Sequence, residues 1–189
     1  MGKLNVIIGP MYSGKTSELL SRYFRYKVAG KKCLLIKFEN DDRYEKDKIV
    51  THNLFKQDAI TCNKLEIYDN KVKDYDIILI DEIQFYPDAH IFCDKWANEG
   101  KIIEASGLNG DYRRKPFEQI SLLIPLCDNI KHLVAVDKKD GNDAPFTCRL
   151  SDDNQQTLIG GNDIYQAMNR NNYTIHSNLK KINQQHLCI

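Results

Sequence analysis

The sequence predicts an α/β fold: a mainly parallel sheet flanked by helices, with a small C-terminal hairpin-and-loop appendage. Three observations predict it. Branched apolar runs recur with the near-continuous apolarity of strands covered on both faces, helical periods lie between them, and the chain turns polar and turn-rich after about residue 136. At 189 residues, 42 % apolar and 28 % charged, the chain has the size and composition of one full-size globular domain.

The runs, in order, are "LNVIIG" (4–9), "CLLIKF" (33–38), "DIILID" (76–81), "KIIEASG" (101–107) and "HLVAV" (132–136). Between the first two, residues 16–29 read as a helix with Leu20, Tyr23, Phe24 and Lys27 on one face, Arg22 and Arg25 elsewhere, and Gly30 at the C′ position. Residues 88–99 read as a second helix, N-capped by Asp88, with Phe92 and Trp96 as i,i+4 partners and Gly100 as its stop. Beyond "DKKDGNDAPFT" (137–147), "QQTLIGGND" (155–163) reads as a short strand meeting two glycines. The segment 174–189 reads as a flexible polar tail. The expected division is 1–136, 137–173 and 174–189.

The formal net charge of +1 gives no electrostatic argument for nucleic acid or an anionic membrane. No run approaches 18 apolar residues and no signal peptide is expected. The six cysteines form no Cys-x-x-Cys pair, so reduced thiols in a cytoplasmic protein are expected.

Between the first strand and the first helix lies Gly9-Pro10-Met11-Tyr12-Ser13-Gly14-Lys15-Thr16, which fits G-x-x-x-x-G-K-[ST] at every fixed position. Such a P-loop turns its backbone N–H groups inward at a helix N-terminus, where the dipole adds partial positive charge. Lys15 reaches the outer phosphates and the Thr16 hydroxyl is placed for Mg²⁺. A second motif, "YDIILIDEIQF" (75–85), ends its apolar run on Asp81, the acidic strand tip that a magnesium shell needs, and continues directly to Glu82. Successive residues point to opposite sides, so the two carboxylates can do different work. Both motifs indicate a nucleoside-triphosphate site with a place for Mg²⁺.

Together, "GPMYSGKT" and "DEIQFYPD" resemble the type II thymidine kinases, the group of vertebrate cytosolic and poxvirus enzymes. In order, "KCLLIKF", "DDRY", "FCDKWANEGKIIEASGLNGDYRRKPF", "LIPL" and "LIGGNDIYQAM" agree, over about residues 4–173. The resemblance implies a RecA-like P-loop kinase domain over 1–136 and a lasso over 137–173 that closes on the nucleoside. It implies Glu82 as general base for the 5′-hydroxyl of thymidine and Asp81 as organiser of Mg²⁺. Asp41, Arg43 and Gln84 join residues 9–16 in the ATP site. Tyr112, Phe117, Thr147, Gln156, Thr157, Leu158, Ile159, Gly160 and Tyr165 form the nucleoside pocket. A homotetramer and feedback inhibition by dTTP are further implications. On sequence alone Tyr112, Phe117 and Tyr165 also suit core aromatics, and Arg43 a surface arginine.

The chain departs from that family in one region. Two Cys-x-x-Cys pairs hold a structural zinc in most members. Asp137 and Asp140 occupy the first pair here, and Asn169 and Asn172 the second. Zinc wants thiolate or imidazole, so none is expected. The four Asx residues read either as a hydrogen-bonded cross-link or as a hard-cation site with oxygen ligands. Ile83 stands where the family usually has Gly, and Asn109 where Asp is common. A helicase-type ATPase would need two lobes, and a GTPase an Asn-Lys-x-Asp after the second motif. Another small-molecule kinase and a non-catalytic ATP-binding regulator stay open as alternatives.

Overall fold

The computed structural model describes residues 1–39, 48–50, 56–156, 158, 160–161 and 163–186. Of the residues singled out above, Asp41, Arg43, Thr157 and Ile159 lie outside them. Strands β1 (Lys3–Gly9), β2 (Cys33–Phe38), β5 (Ile60–Cys62), β6 (Ile77–Ile80), β7 (Ile102–Leu108) and β8 (Asn129–His132) form one six-stranded sheet. Its order is β5-β2-β6-β7-β1-β8, and every pairing is parallel. The short strands β3 (Lys48–Val50) and β4 (Lys56–Asp58) pair antiparallel beside it. The appendage consists of β9 (Ala135–Val136) paired with β10 (Asp143–Ala144), and β11 (Phe146–Arg149) paired with β12 (Tyr165–Met168). Helices are α1 (Lys15–Val28), α2 (Ala89–Asn98), α3 (Glu118–Leu123) and α4 (Arg170–His186).

Period-two alternation explains why the strand runs are apolar throughout. Leu4, Val6, Ile78, Ile80, Ile103 and Ala105 pack with Trp96 and Cys93 of α2 on one face, while Ile7, Leu35, Ile77 and Leu79 pack with Leu19 and Leu20 of α1 on the other. The α1 face differs from the one read off the sequence. Leu19 and Leu20 are buried and Phe24 is exposed, because Arg22 and Tyr26 turn toward the sheet. Glu104 of β7, 1 % exposed, takes Arg22 Nη1 at 2.6 Å, Tyr26 Oη at 2.7 Å and Asn5 Nδ2 at 3.1 Å. A buried carboxylate therefore chooses the helix face, which no periodicity of α1 alone reveals.

Other expectations need correction. "HLVAV" is not one strand: β8 ends at His132, and Ala135–Val136 belong to the separate β9–β10 ladder. Residues 155–161 contain no strand among those described. Asp88 does precede α2, but its carboxylate accepts from the N–H groups of Leu65 (3.1 Å) and Glu66 (2.9 Å), capping a neighbouring 3₁₀ turn. Where the sequence suggested a flexible tail, α4 continues to His186, with Tyr173 buried and Lys180 Nζ donating to the Ser151 carbonyl at 2.5 Å. Gly30 ends α1 as expected: at φ 73 it donates to the Lys27 carbonyl, and Lys31 N–H closes back on Tyr26.

Candidate active site

The C-terminal ends of β1, β6 and β7 meet at one edge of the sheet, where open α/β sheets bind their ligands. β1 stops at Gly9 because the loop packs there too closely for a side chain; a Cβ on Gly9 would lie 2.4 Å from the Leu133 carbonyl oxygen. Gly14 reaches φ 81 to start α1. Within the loop, Ser13 Oγ (2.9 Å) and Lys15 Nζ (2.7 Å) both donate to the Pro10 carbonyl. Lys15 is thus folded against the loop it serves.

Two strands away, Asp81 follows β6. Its Oδ2 accepts from Thr16 Oγ1 at 3.0 Å, across the end of the intervening β7. Its Oδ1 accepts from Glu82 N–H at 3.1 Å and from Ser106 Oγ of β7. The Thr16 hydroxyl and Asp81 carboxylate, predicted separately from two motifs, are therefore neighbours. As hard oxygen donors beside the loop of residues 9–16, they fit a magnesium ion.

Glu82 adopts φ 54, ψ 42, the left-handed region, which costs a non-glycine residue about 1–2 kcal/mol. The turn aims its carboxylate at Gln84, whose Nε2 donates to Glu82 Oε2 at 2.6 Å and whose Oε1 accepts from Leu108 N–H at 3.0 Å. Ile83 enters the core and is fully buried. It fits because residue 107 is glycine: a Cβ there would meet Ile83 Cγ2 at 2.8 Å.

The hairpin β11–β12 leans on the phosphate loop. Met11 N–H donates to Thr147 Oγ1 at 2.9 Å, and Tyr12 Oη to the Tyr165 carbonyl at 3.3 Å. Tyr165 and Tyr112 flank the guanidinium of Arg149, at 5.2 and 3.9 Å from the ring centroids. Arg149 is 1 % exposed and donates to the carbonyls of Asp153 (3.1 Å), Gln155 and Gln156 (3.2 Å), and to Tyr165 Oη at 2.6 Å. Tyr165 Oη in turn donates to the Leu158 carbonyl at 2.8 Å. One cation thus gathers Tyr112, Gln156, Leu158 and Tyr165, all predicted site residues. Gly160 packs against Ile164 in the same segment. Phe117 lies apart from that cluster, buried in the main core against Phe85, with ring centroids 6.0 Å apart.

Arg149 and Ser106 are absent from the sequence-based set. A signal for the first existed: Thr147 and Arg149 are i,i+2 in one strand and share a face.

The four Asx residues form the hydrogen-bonded cross-link. Asp137 Oδ2 accepts from Asn169 N–H (2.8 Å) and Asn172 Nδ2 (2.9 Å). Asp140 Oδ2 accepts from Asn169 Nδ2 (2.7 Å) and Asn172 Nδ2 (3.3 Å). The amide NH₂ groups face the carboxylates, which is donor–acceptor rather than ligand geometry. Burial opposes the charge on Asp137, yet the Asn169, Asn172 and Lys139 donors hold its carboxyl below the ordinary value. Among the described residues, no group of three or more His, Cys, Asp or Glu gathers as a metal site, and no helix is long and apolar enough to cross a membrane.

A family model described as thymidine kinase matches residues 2–173. Similar proteins include the thymidine kinases of vaccinia virus (strain Western Reserve), monkeypox virus and raccoon poxvirus. Each is 42 % identical over 172 residues, covering 91 % of this chain and 97 % of the relative.

Proposed function

Because the chain belongs to the thymidine kinase family, we propose that it transfers the γ-phosphoryl group of ATP to the 5′-hydroxyl of thymidine, giving dTMP and ADP. The carrying observation is the hydrogen bond from Thr16 to Asp81, which joins the phosphate loop to the strand tip bearing Glu82.

In this reading, the amides of residues 9–16 bind the ATP phosphates, with Asp41 and Arg43 beside them, and Lys15 offsets charge on the transferring group. Thr16 and Asp81 would hold Mg²⁺, which supplies charge neutralisation between the phosphates. Glu82 takes the proton of the 5′-hydroxyl as that oxygen attacks the γ-phosphorus in line. Residues 137–173 act as the lasso over the nucleoside. Thr147, Tyr112 and Tyr165 shape the pocket, residues 156–160 read the base through the backbone, and Phe117 is read as a core aromatic.

The Asx cross-link supports a lasso that needs no zinc. Cytoplasmic location, a homotetramer and dTTP feedback are read from family membership. The exposed edge strand β8, which carries the exposed Ile130, supports assembly through that edge.

The test is ADP formation by purified protein with ATP, Mg²⁺ and each of thymidine, deoxycytidine, deoxyadenosine, deoxyguanosine and deoxyuridine. Turnover with thymidine above the purine nucleosides is expected. Turnover with another acceptor only would move the chain to a different kinase specificity, and ATP binding without turnover would make it a regulator.

A further inference from the structure

We propose that Gln84 is a positioning residue that holds Glu82 in register with the end of β7; this rests on the kinase reading above. Gln84 is buried, and both ends of its amide are engaged, Nε2 by Glu82 Oε2 at 2.6 Å and Oε1 by Leu108 N–H at 3.0 Å. The amide cannot be the other way round. A backbone N–H only donates, so the oxygen must face Leu108 and the NH₂ group must face the Glu82 carboxylate. The bond to Glu82 is charge-assisted and belongs to the stronger class.

The surroundings fix the amide in place. A Cβ at Gly107 would lie 2.5 Å from Gln84 Oε1, so strand β7 passes directly against it. Glu82 itself sits in a backbone region that persists only where neighbours over-determine it. Gln84 is such a neighbour: it ties the strained turn after β6 to the last residue of β7, beside the phosphate loop. A general base contributes only when it waits at the right place, and a carboxylate on a three-bond side chain does not wait there unaided. The sequence-based placement of Gln84 among ATP-binding residues makes a different kinetic prediction, so the two are separable.

Steady-state kinetics of Gln84→Met and Gln84→Glu decide. Under the positioning role, kcat with thymidine falls roughly 10–100-fold while KM for ATP stays within about threefold. In a Glu82→Ala background, Gln84→Met costs less than about threefold more, because no carboxylate remains to be held. Gln84→Glu keeps the side-chain length and an acceptor for Leu108 but sets a second carboxylate against Glu82, and loses at least as much kcat. It carries the test if the Met variant fails to fold, as judged by circular dichroism and melting. Wild-type kcat in either folded variant overturns the proposal, as does a raised KM for ATP at unchanged kcat, or losses that multiply in the double variant. A wild-type protein inactive on thymidine defeats the kinase reading and this role together; an active one indifferent to Gln84 defeats the role alone.

Discussion

Removing the Asp137 carboxylate tests how the appendage is held. In Asp137→Ala three hydrogen bonds are lost, from Asn169 N–H at 2.8 Å, from Lys139 N–H at 3.0 Å and from the Asn172 amide at 2.9 Å, the last keeping Asp140 Oδ2 at 3.3 Å. A hydrogen bond to a charged group contributes about 1.5–3 kcal/mol, so three would sum to roughly 4.5–9 kcal/mol if every donor stayed dry. Lys139 is exposed and Asn169 half-buried, so water reaches both, and about half that sum is the better expectation. A loss of about 2–4 kcal/mol lowers the melting temperature by roughly 4–16 °C for a chain of this size. The pH dependence has a definite sign. The folded pKa is depressed, so the contribution is complete above the unfolded value of 3.8 and disappears as pH falls through the folded one. The gap between wild type and variant should therefore be constant from about pH 5 to 8 and close below about pH 4. Scanning calorimetry across that range, with and without EDTA, measures all of this. A melting shift under about 1 °C, a gap that widens in acid, or wild-type stability that collapses with EDTA alongside stoichiometric zinc would refute the reasoning.

Glu82→Ala should lower kcat roughly 10²–10⁴-fold while ATP binding survives, measured by turnover and nucleotide titration. Glu82→Gly should be equally inactive yet more stable than Glu82→Ala by about 1 kcal/mol in urea denaturation, because only glycine tolerates φ 54 without strain. Arg149→Met removes the cation from between Tyr112 and Tyr165 and should raise KM for thymidine at least about tenfold, with KM for ATP little changed. Arg149→Lys should not rescue it, since an ammonium lacks the fork that reaches several carbonyls. Arg22→Ala strands the buried Glu104 carboxylate and should destabilise the fold by about 2–4 kcal/mol, below the usual 3–5 for a broken buried pair because Tyr26 and Asn5 still donate. The double variant Arg22→Met with Glu104→Leu should recover only part of that loss in the same denaturation assay, because Tyr26 and Asn5 then lose their acceptor.

The strand–loop–helix at residues 3–28, the place of Asp81 after β6 and the glycine stops of α1 and α2 are legible because each is a local pattern whose geometry its own residues dictate. The Asx cross-link was legible as one of two alternatives, since spacing fixed the positions but not whether amide hydrogens or oxygens face inward. What sequence missed depends on partners distant along the chain. Glu104 decides which side of α1 is buried from 82 residues away from Arg22. Asp88 is drawn from its own helix to Leu65. Arg149 belongs to no motif; its i,i+2 relation to Thr147 is a weak signal, and the return of Gln155 and Gln156 to its guanidinium shows its contacts. The split of 132–136 into two ladders follows from pairing partners that periodicity does not encode.

The fit of Ile83 against a bare backbone at Gly107 makes these two positions a lock and its keyhole, one in the turn after β6 and one in β7. Bulk introduced at 107 would meet Gln84 Oε1 at 2.5 Å as well as Ile83 Cγ2 at 2.8 Å, so shrinking 83 alone does not make room for a methyl there. Evolutionary drift at 107 should therefore move together with 83 and 84, and engineers grafting this region between relatives should transplant all three or none.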